Sequence, residues 1–165
     1  MSVSIRRIQR DDFDSWKSLW AQYNEFYNRT DAITDEVTKT TFDRFLDDNV
    51  RMYGAVAVVP VPDESEATKT KDHLIGFVHW YPHLSTSSLN ETVYLHDLFV
   101  DPSVRNKGTG RALIEHVYES AKALGCDSVY WHTQHFNHRA QLLYTKVADR
   151  TDFVMYRKCW NEHGW

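Results

Sequence analysis

The sequence predicts an α/β (α+β) domain: a mixed sheet with helices on both faces. Three observations predict it. Strand-like and helix-like runs follow one another as β-α-α-β-β-β-α-β-α-β. The early strands are joined by loops and the later ones by helices, as in mixed sheets. The 165 residues are 42% hydrophobic and 25% charged, ordinary globular usage in a chain long enough to bury a core. We read residues 1–165 as one domain, with no internal repeat and no linker.

Val3 to Ile8 reads as a short strand. Asp11 and Asp12 open a helix running to about Tyr27, with Phe13, Trp16, Leu19, Trp20 and Tyr23 at helical spacing. A second helix covers Asp35 to Asp47, with Val37, Phe42, Phe45 and Leu46 on its apolar side. Met52 to Val59 is rich in β formers. Pro60 to Asp72 is polar and Pro-containing, which predicts a surface loop between two strands. His73 to Tyr81 is the next strand and Pro82 to Asn90 the next loop. Thr92 to Val100 is a strong strand, ended by Asp101-Pro102. Thr109 to Leu124 is helical and closes at Gly125, a natural residue just past a helix end. Ser128 to Thr133 is a strand, Asn137 to Lys146 a helix, and Phe153 to Lys158 a final strand.

Several function classes are disfavoured. With 19 basic and 23 acidic residues the net charge is -4, and no basic footprint for nucleic acid is visible. A mildly acidic protein tolerates or attracts a cationic amine. No apolar run approaches the roughly 20 residues that span a bilayer. Met1 to Arg10 has no apolar core of a secretory signal. Cys126 and Cys159 form no CxxC or metal-ligand pattern, so a reducing compartment is expected: the cytoplasm, with the nucleus as the alternative. There are 9 histidines, but His132, His135 and His138 fall in a strand, a loop and a helix, and HExxH is absent. No metal site is expected.

The most informative stretch is Tyr94-Leu-His-Asp-Leu-Phe-Val-Asp-Pro-Ser-Val-Arg-Asn-Lys-Gly-Thr-Gly-Arg-Ala-Leu. A strand enters a short loop, Arg105-Asn106-Lys107-Gly108-Thr109-Gly110, and then a helix. Glycines let the backbone approach a ligand closely, and free N–H groups at a helix start favour a phosphate. Arg105, Lys107 and Arg111 add positive charge. The plain alternative is a strand-turn-helix whose glycines serve geometry alone. GxxxxGK[ST] and GxGxxG are both absent.

Arg-x-x-Gly-x-Gly after a strand ending in Val-Asp-Pro resembles the pyrophosphate loop of the GNAT acetyltransferase superfamily. Asn137-His-Arg-Ala-Gln-Leu-Leu-Tyr144 is similar to its second signature, in which an Asn opens a helix and a Tyr follows seven residues on. The resemblance runs from Ile5 to Lys158. It is strongest toward the fungal histone-and-polyamine acetyltransferases, which include D-amino-acid acetylators. It extends to Asp97-Leu-Phe-Val and Ser128-Val-Tyr-Trp. Ala148-Asp149 departs from the family's usual Gly-aromatic pair after the Tyr helix.

The resemblance implies a mostly antiparallel sheet splayed in the middle, and acetyl-CoA as co-substrate. Leu98, Phe99 and Val100 would offer backbone groups to the pantetheine arm. Residues Arg105, Asn106, Lys107, Gly108, Thr109, Gly110 and Arg111 would hold the pyrophosphate. Asn137 would touch the pantetheine, cap the last helix, or both. Tyr144 would be the general acid beside the sulfur; its bland alternative is a core tyrosine.

Acetyl transfer needs a neutral amine, donors for the oxyanion and a proton for the departing thiolate. Strict alternation along the strand puts Tyr94, His96, Leu98 and Val100 on one face, and Leu95, Asp97 and Phe99 on the other. His96 suits a base, with an ordinary pKa of about 6.5, or is simply a hydrogen-bonded histidine lining the sheet. Asp97 either binds a cationic amine or anchors the fold. Candidates for the acceptor pocket are Glu25, Tyr27 and Trp80, with Trp20, Tyr23, Phe26 and Tyr81, because aromatics and carboxylates hold ammonium groups. Trp16, Trp20 and Tyr23 are equally readable as core. The expected reaction is acetylation of a primary amine on a small molecule, a polyamine or an amino acid. The alternatives are histone-like lysines and a non-catalytic acyl-CoA-binding module. Tryptophans in the tail Cys159 to Trp165 point to a homodimer or a dimer of dimers.

Overall fold

A computed structural model describes residues 3–63, 66–104 and 108–160, with backbone only at 63 and 66–70. Five strands lie in the order β1 (Ser4–Arg7), β2 (Tyr53–Asp63), β3 (Glu66–His83), β4 (Thr92–Val100), β5 (Ser128–Tyr130). The first four pair antiparallel and β5 joins β4 in parallel. The helices are α1 (Phe13–Phe26), α2 (Asp35–Leu46), α3 (Thr109–Ala123) and α4 (His138–Tyr144).

Helices cover both faces, and each face has its own chemistry. On one face α1 and α2 bury an aromatic core: Trp16, Trp20, Tyr23, Phe42 and Phe45 close over Phe77 and Phe99. On the other face α3 buries an aliphatic core of Leu113, Ile114, Val117 and Ala121 against Ala55, Ala57, Val78 and Val93. The three-to-four spacing of each set explains the burial. At the sheet's edge Arg6 grips both oxygens of Asp12, at 2.7 and 2.9 Å, which pins β1 to the start of α1.

Pro60 to Asp72 is not a loop. β2 and β3 extend into a long hairpin, with Pro60 opposite Asp72 and Pro62 opposite Thr70. The prolines are tolerated because the pairing of β1 with β2 ends at Val58, so among the described residues no strand pairs with this arm of β2 on that edge and no N–H is required there. The final strand expected at Phe153 to Lys158 is also not formed. An extended run becomes a strand only beside a neighbour that takes its hydrogen bonds, and no described strand lies there. Phe153 and Tyr156 are instead more than nine-tenths exposed.

Alternation along β4 is broken as well. His79 pairs with Asp97 but Trp80 pairs with Leu95, so His96 is the extra residue of a β-bulge. Leu95 therefore packs on the α3 face with Val93, while Phe99 packs on the α1 face. Asp97 also turns to α1, where it meets Tyr23. The single face expected for Leu95, Asp97 and Phe99 is split by one inserted residue.

Candidate active site

β4 and β5 pair only at Thr92–Ser128, Val93–Val129 and Tyr94–Tyr130. Beyond that point the chain after β5 turns away and α4 follows. The splay opens a cleft of about 620 Å³ between the C-terminal half of β4 and α4, with α1 at one side and the start of α3 at the end. That volume lies in the usual range for small-ligand sites, about 300–1,000 Å³.

The α3 end of the cleft is built from backbone. Gly108 caps α3 at φ +85°, a left-handed conformation that side chains resist. A Cβ on Gly110 would stand 3.1 Å from Leu143, so the glycine lets α3 and α4 close together. Thr109 is buried, and its Oγ1 has no hydrogen-bond partner among the described residues. Arg111, Arg139 and Lys146 line the same cleft. A glycine-rich helix start, an unsatisfied hydroxyl and three cations suit an elongated anionic ligand. Arg105, Asn106 and Lys107 lie outside the described residues.

Leu98, Phe99, Val100, Asn137, Tyr27 and Tyr144 all line this cleft. Asn137 caps α4, its side chain accepting from Ala140 N at 3.4 Å, and the residue also lines the cleft. Tyr144 packs edge-on against Trp131 at 5.3 Å. Burial, with Tyr27 nearby, raises its hydroxyl well above the ordinary tyrosine value. It therefore keeps its proton at neutral pH.

From Tyr23 in the cleft wall a polar network runs under the aromatic core. Trp16 Nε1 donates to His79 Nε2 at 3.0 Å, and His79 Nδ1 is 2.9 Å from Asp97 Oδ2. Tyr23 donates to Asp97 Oδ1 at 2.7 Å. His96 Nδ1 lies 3.0 Å from the same oxygen. Burial works to raise the Asp97 carboxyl, but His79 and His96 hold it below the usual carboxylate range. His96 itself rises from the bulge between Tyr81 and Tyr94.

The chain matches the Acetyltransferase (GNAT) family over residues 5–148. It belongs to the GNAT acetyltransferase family. It is 44% identical to the D-amino-acid N-acetyltransferase HPA3 of Saccharomyces cerevisiae, across 94% of this chain and 90% of that one. Two solved structures share the GNAT fold, each at 18% identity. One is the aminoglycoside acetyltransferase AAC(6')-Iy in complex with the bisubstrate analog CoA-S-monomethyl-acetylneamine, with a TM-score of 0.76 over 96% of this chain and 99% of that one. The other is the ribosomal-protein-alanine N-acetyltransferase of Brucella melitensis, with a TM-score of 0.71 over 96% and 100%.

Set against the GNAT pattern, the expected coenzyme residues that are described converge, and the expected acceptor residues do not. Asp97 is 3% exposed with its oxygens engaged, so it is unavailable to an amine. Trp80 is buried on the opposite face against Tyr53 and His116. Glu25 lines a separate small depression with Gln22, Phe26 and Pro102. Of these four only Tyr27 lines the main cleft; Tyr23 and Phe26 from the wider acceptor set line it too, whereas His96 is not among its lining residues. The sequence reading missed Arg139, Leu143 and Lys146, whose helical spacing around Asn137 and Tyr144 was the available signal. It also missed His79, which shares the inward parity of Phe77 on β3.

Proposed function

We propose that this GNAT enzyme transfers the acetyl group of acetyl-CoA to the primary amine of an amino acid, D-amino acids first among them. The observation that carries this reading is the splayed cleft, in which the glycine start of α3, β4 and Tyr144 line one continuous wall. When bound, acetyl-CoA supplies an acetyl thioester whose C–S bond breaks as the N–C bond to the amine forms. Gly108, Thr109, Gly110 and Arg111 hold its anionic end, and Leu98 to Val100 align its arm. His96 takes one proton from the acceptor nitrogen. Tyr144 gives one proton to the departing sulfur.

The likeness to a relative named for D-amino acids favours an amino acid over a polyamine. So does the burial of Asp97, which removes the carboxylate best placed to hold a second ammonium group. We further propose a homodimer. Phe153, Val154, Met155, Tyr156 and Trp160 are each at least 60% exposed, a run of apolar surface that a partner subunit would cover. Light scattering behind size exclusion reads this directly, and a monomer mass overturns it. The two free cysteines fit a reducing, cytoplasmic setting.

The deciding experiment measures thiol release from acetyl-CoA with D- and L-amino acids, spermidine, spermine, short diamines and histone-tail peptides. Turnover concentrated on amino acids is expected. Turnover on polyamines or peptides alone would replace the acceptor and keep the chemistry. Tyr144→Phe should bind acetyl-CoA normally and turn over about 100-fold more slowly. An unchanged rate removes Tyr144 from the mechanism.

A further inference from the structure

Asp97 and His79 are buried at 3% and 0% exposure and neither lines the cleft, but Tyr23, which does, donates to Asp97. The protons of this network can be assigned. An indole N–H only donates, so His79 Nε2, 3.0 Å from Trp16 Nε1, accepts and carries no hydrogen. The hydrogen of the neutral ring is then on Nδ1, which donates to Asp97 Oδ2 at 2.9 Å. Tyr23 donates to Oδ1 at 2.7 Å.

An ionised carboxylate only accepts. His96 Nδ1 approaches Oδ1 at 3.0 Å, off the line of an ideal hydrogen bond. A bare lone pair there would be repelled, so His96 Nδ1 also carries hydrogen. The lone pair of the neutral ring is left on Nε2. Nδ1 is buried although the side chain is 29% exposed, so the ring's exposed edge is the opposite one.

We propose that Asp97 is a positioning residue: locked by His79, Trp16 and Tyr23, it sets the tautomer of His96 and turns the Nε2 lone pair toward the acceptor amine. This rests on the amine-acetylation reading above. The carboxylate also stabilises the imidazolium that forms when His96 takes the proton. Burial keeps His79 neutral, below the ordinary histidine range, despite Asp97. Tyr94 on its own strand and Tyr81 on β3 also face His96. Burial holds both protonated, Tyr94 pushed up to about 12. Tyr23 reaches His96 through the shared Asp97 oxygen, while His79 is coupled to His96 both through Asp97 and directly by charge.

Two readouts on the full chain test this, and the first needs no acceptor. Long-range proton–nitrogen NMR of the imidazoles should show His79 protonated at Nδ1 and unchanged between about pH 5 and pH 9. His96 should be neutral with hydrogen on Nδ1 at the alkaline end and titrate at Nε2. Asp97→Asn should lower the His96 midpoint, because the imidazolium loses its carboxylate. Tyr23→Phe should raise it, because the carboxylate loses a competing donor. A hydrogen on Nε2 of either neutral ring, or midpoints that do not move in opposite directions, overturns the proposal.

The second readout is the pH profile of kcat/KM with whichever amine turns over. The acid limb should follow the NMR midpoint in each variant. Asp97→Asn should lower kcat by about 10- to 100-fold with acetyl-CoA affinity unchanged. Adding Asp97→Asn to His96→Gln should cost little more than His96→Gln alone, since the two act as a unit. Additive losses overturn the proposal. If Asp97→Asn does not fold, Tyr23→Phe and His96→Gln carry both readouts. An enzyme silent on every amine, with the NMR shifts as expected, defeats the acceptor reading and leaves the assignment standing.

Discussion

At its coenzyme end the cleft is walled by Gly108, Thr109 and Gly110, residues consecutive in the chain and shaped by backbone geometry. At and behind Tyr23, where we propose the acceptor amine is met, Trp16 and Tyr23 come from α1, His79 from β3, and His96 and Asp97 from β4. One end is a local motif; the other is a tertiary assembly. The first works through a left-handed glycine, a close helix approach and the N–H groups of a helix start, which depend little on the rest of the fold. The second exists only if the aromatic core closes correctly, because each hydrogen bond links separate elements.

The difference teaches where stability and function are coupled. In the polar network the side chains that hold the core also carry the hydrogen bonds we propose to orient His96: Trp16 packs on Phe42 and Phe45 at 5.1 and 6.0 Å and donates to His79. At the coenzyme end, ligand contact and core are carried by different residues of α3. Thr109 and Gly110 line the cleft, while Leu113, Ile114 and Val117 fill the aliphatic core.

The sharpest way to break this comparison is Trp16→Ala. Removing a buried tryptophan costs about 3–5 kcal/mol, and here it also leaves His79 Nε2 without its donor. The melting temperature should fall by roughly 2–4 °C per kcal/mol lost. Trp16→Phe keeps most of the packing and should lose only about 1–3 kcal/mol, the cost of an unpaired buried acceptor. Calorimetry of both, beside Leu113→Ala on the aliphatic face, separates packing from the hydrogen bond. If Trp16→Phe is neutral, the network adds nothing to stability and the coupling of the two roles fails.

A smaller effect is expected at the other end. Gly108→Ala forces a side chain into φ +85°, which costs roughly 1–2 kcal/mol. No heavy atom lies within 4 Å of the added Cβ, so strain rather than collision is the cause. The ligand-free loop should relax away from that conformation, so that binding must restore it and acetyl-CoA affinity, read by titration calorimetry, weakens by about tenfold for 1.4 kcal/mol. The acceptor KM should not change. A shift in acceptor KM alone would show that the two ends are not separable.

The same contrast explains what the sequence revealed. β4 and α4 were readable because Val-Asp-Pro, the glycines and Asn137 act within a few residues. The two-faced split of β4 was not, because the bulge at His96 is defined by its pairing with β3 and not by any residue of β4 itself. Asp97 offered two readings, and only the arrival of Tyr23 and His79 from elsewhere selects the buried one. Pro60 and Pro62 signalled a loop; the missing β1 neighbour that makes them tolerable in a strand is a fact of topology. The apolar pattern of Phe153 to Lys158 was read as a strand, but a pattern supplies no ladder partner.

The gentlest test uses pH. His79 is buried and held below the ordinary histidine range, chiefly by desolvation, so it stays neutral in the folded chain. In the unfolded chain it takes up a proton below about pH 6.5. The unfolded state then binds more protons, so stability must fall as pH drops through that value. One such group contributes at most about 1.4 kcal/mol per pH unit. Asp97 does not confuse this window: its carboxyl is held low by His79 and His96 against burial, so its contribution is lost only in stronger acid. His79→Gln should therefore be less stable than the parent at pH 7, with the gap narrowing toward pH 5. Urea unfolding across that range reads the two slopes. Parallel slopes would mean that His79 titrates alike folded and unfolded, and that the acceptor end is not sealed from water as its packing requires.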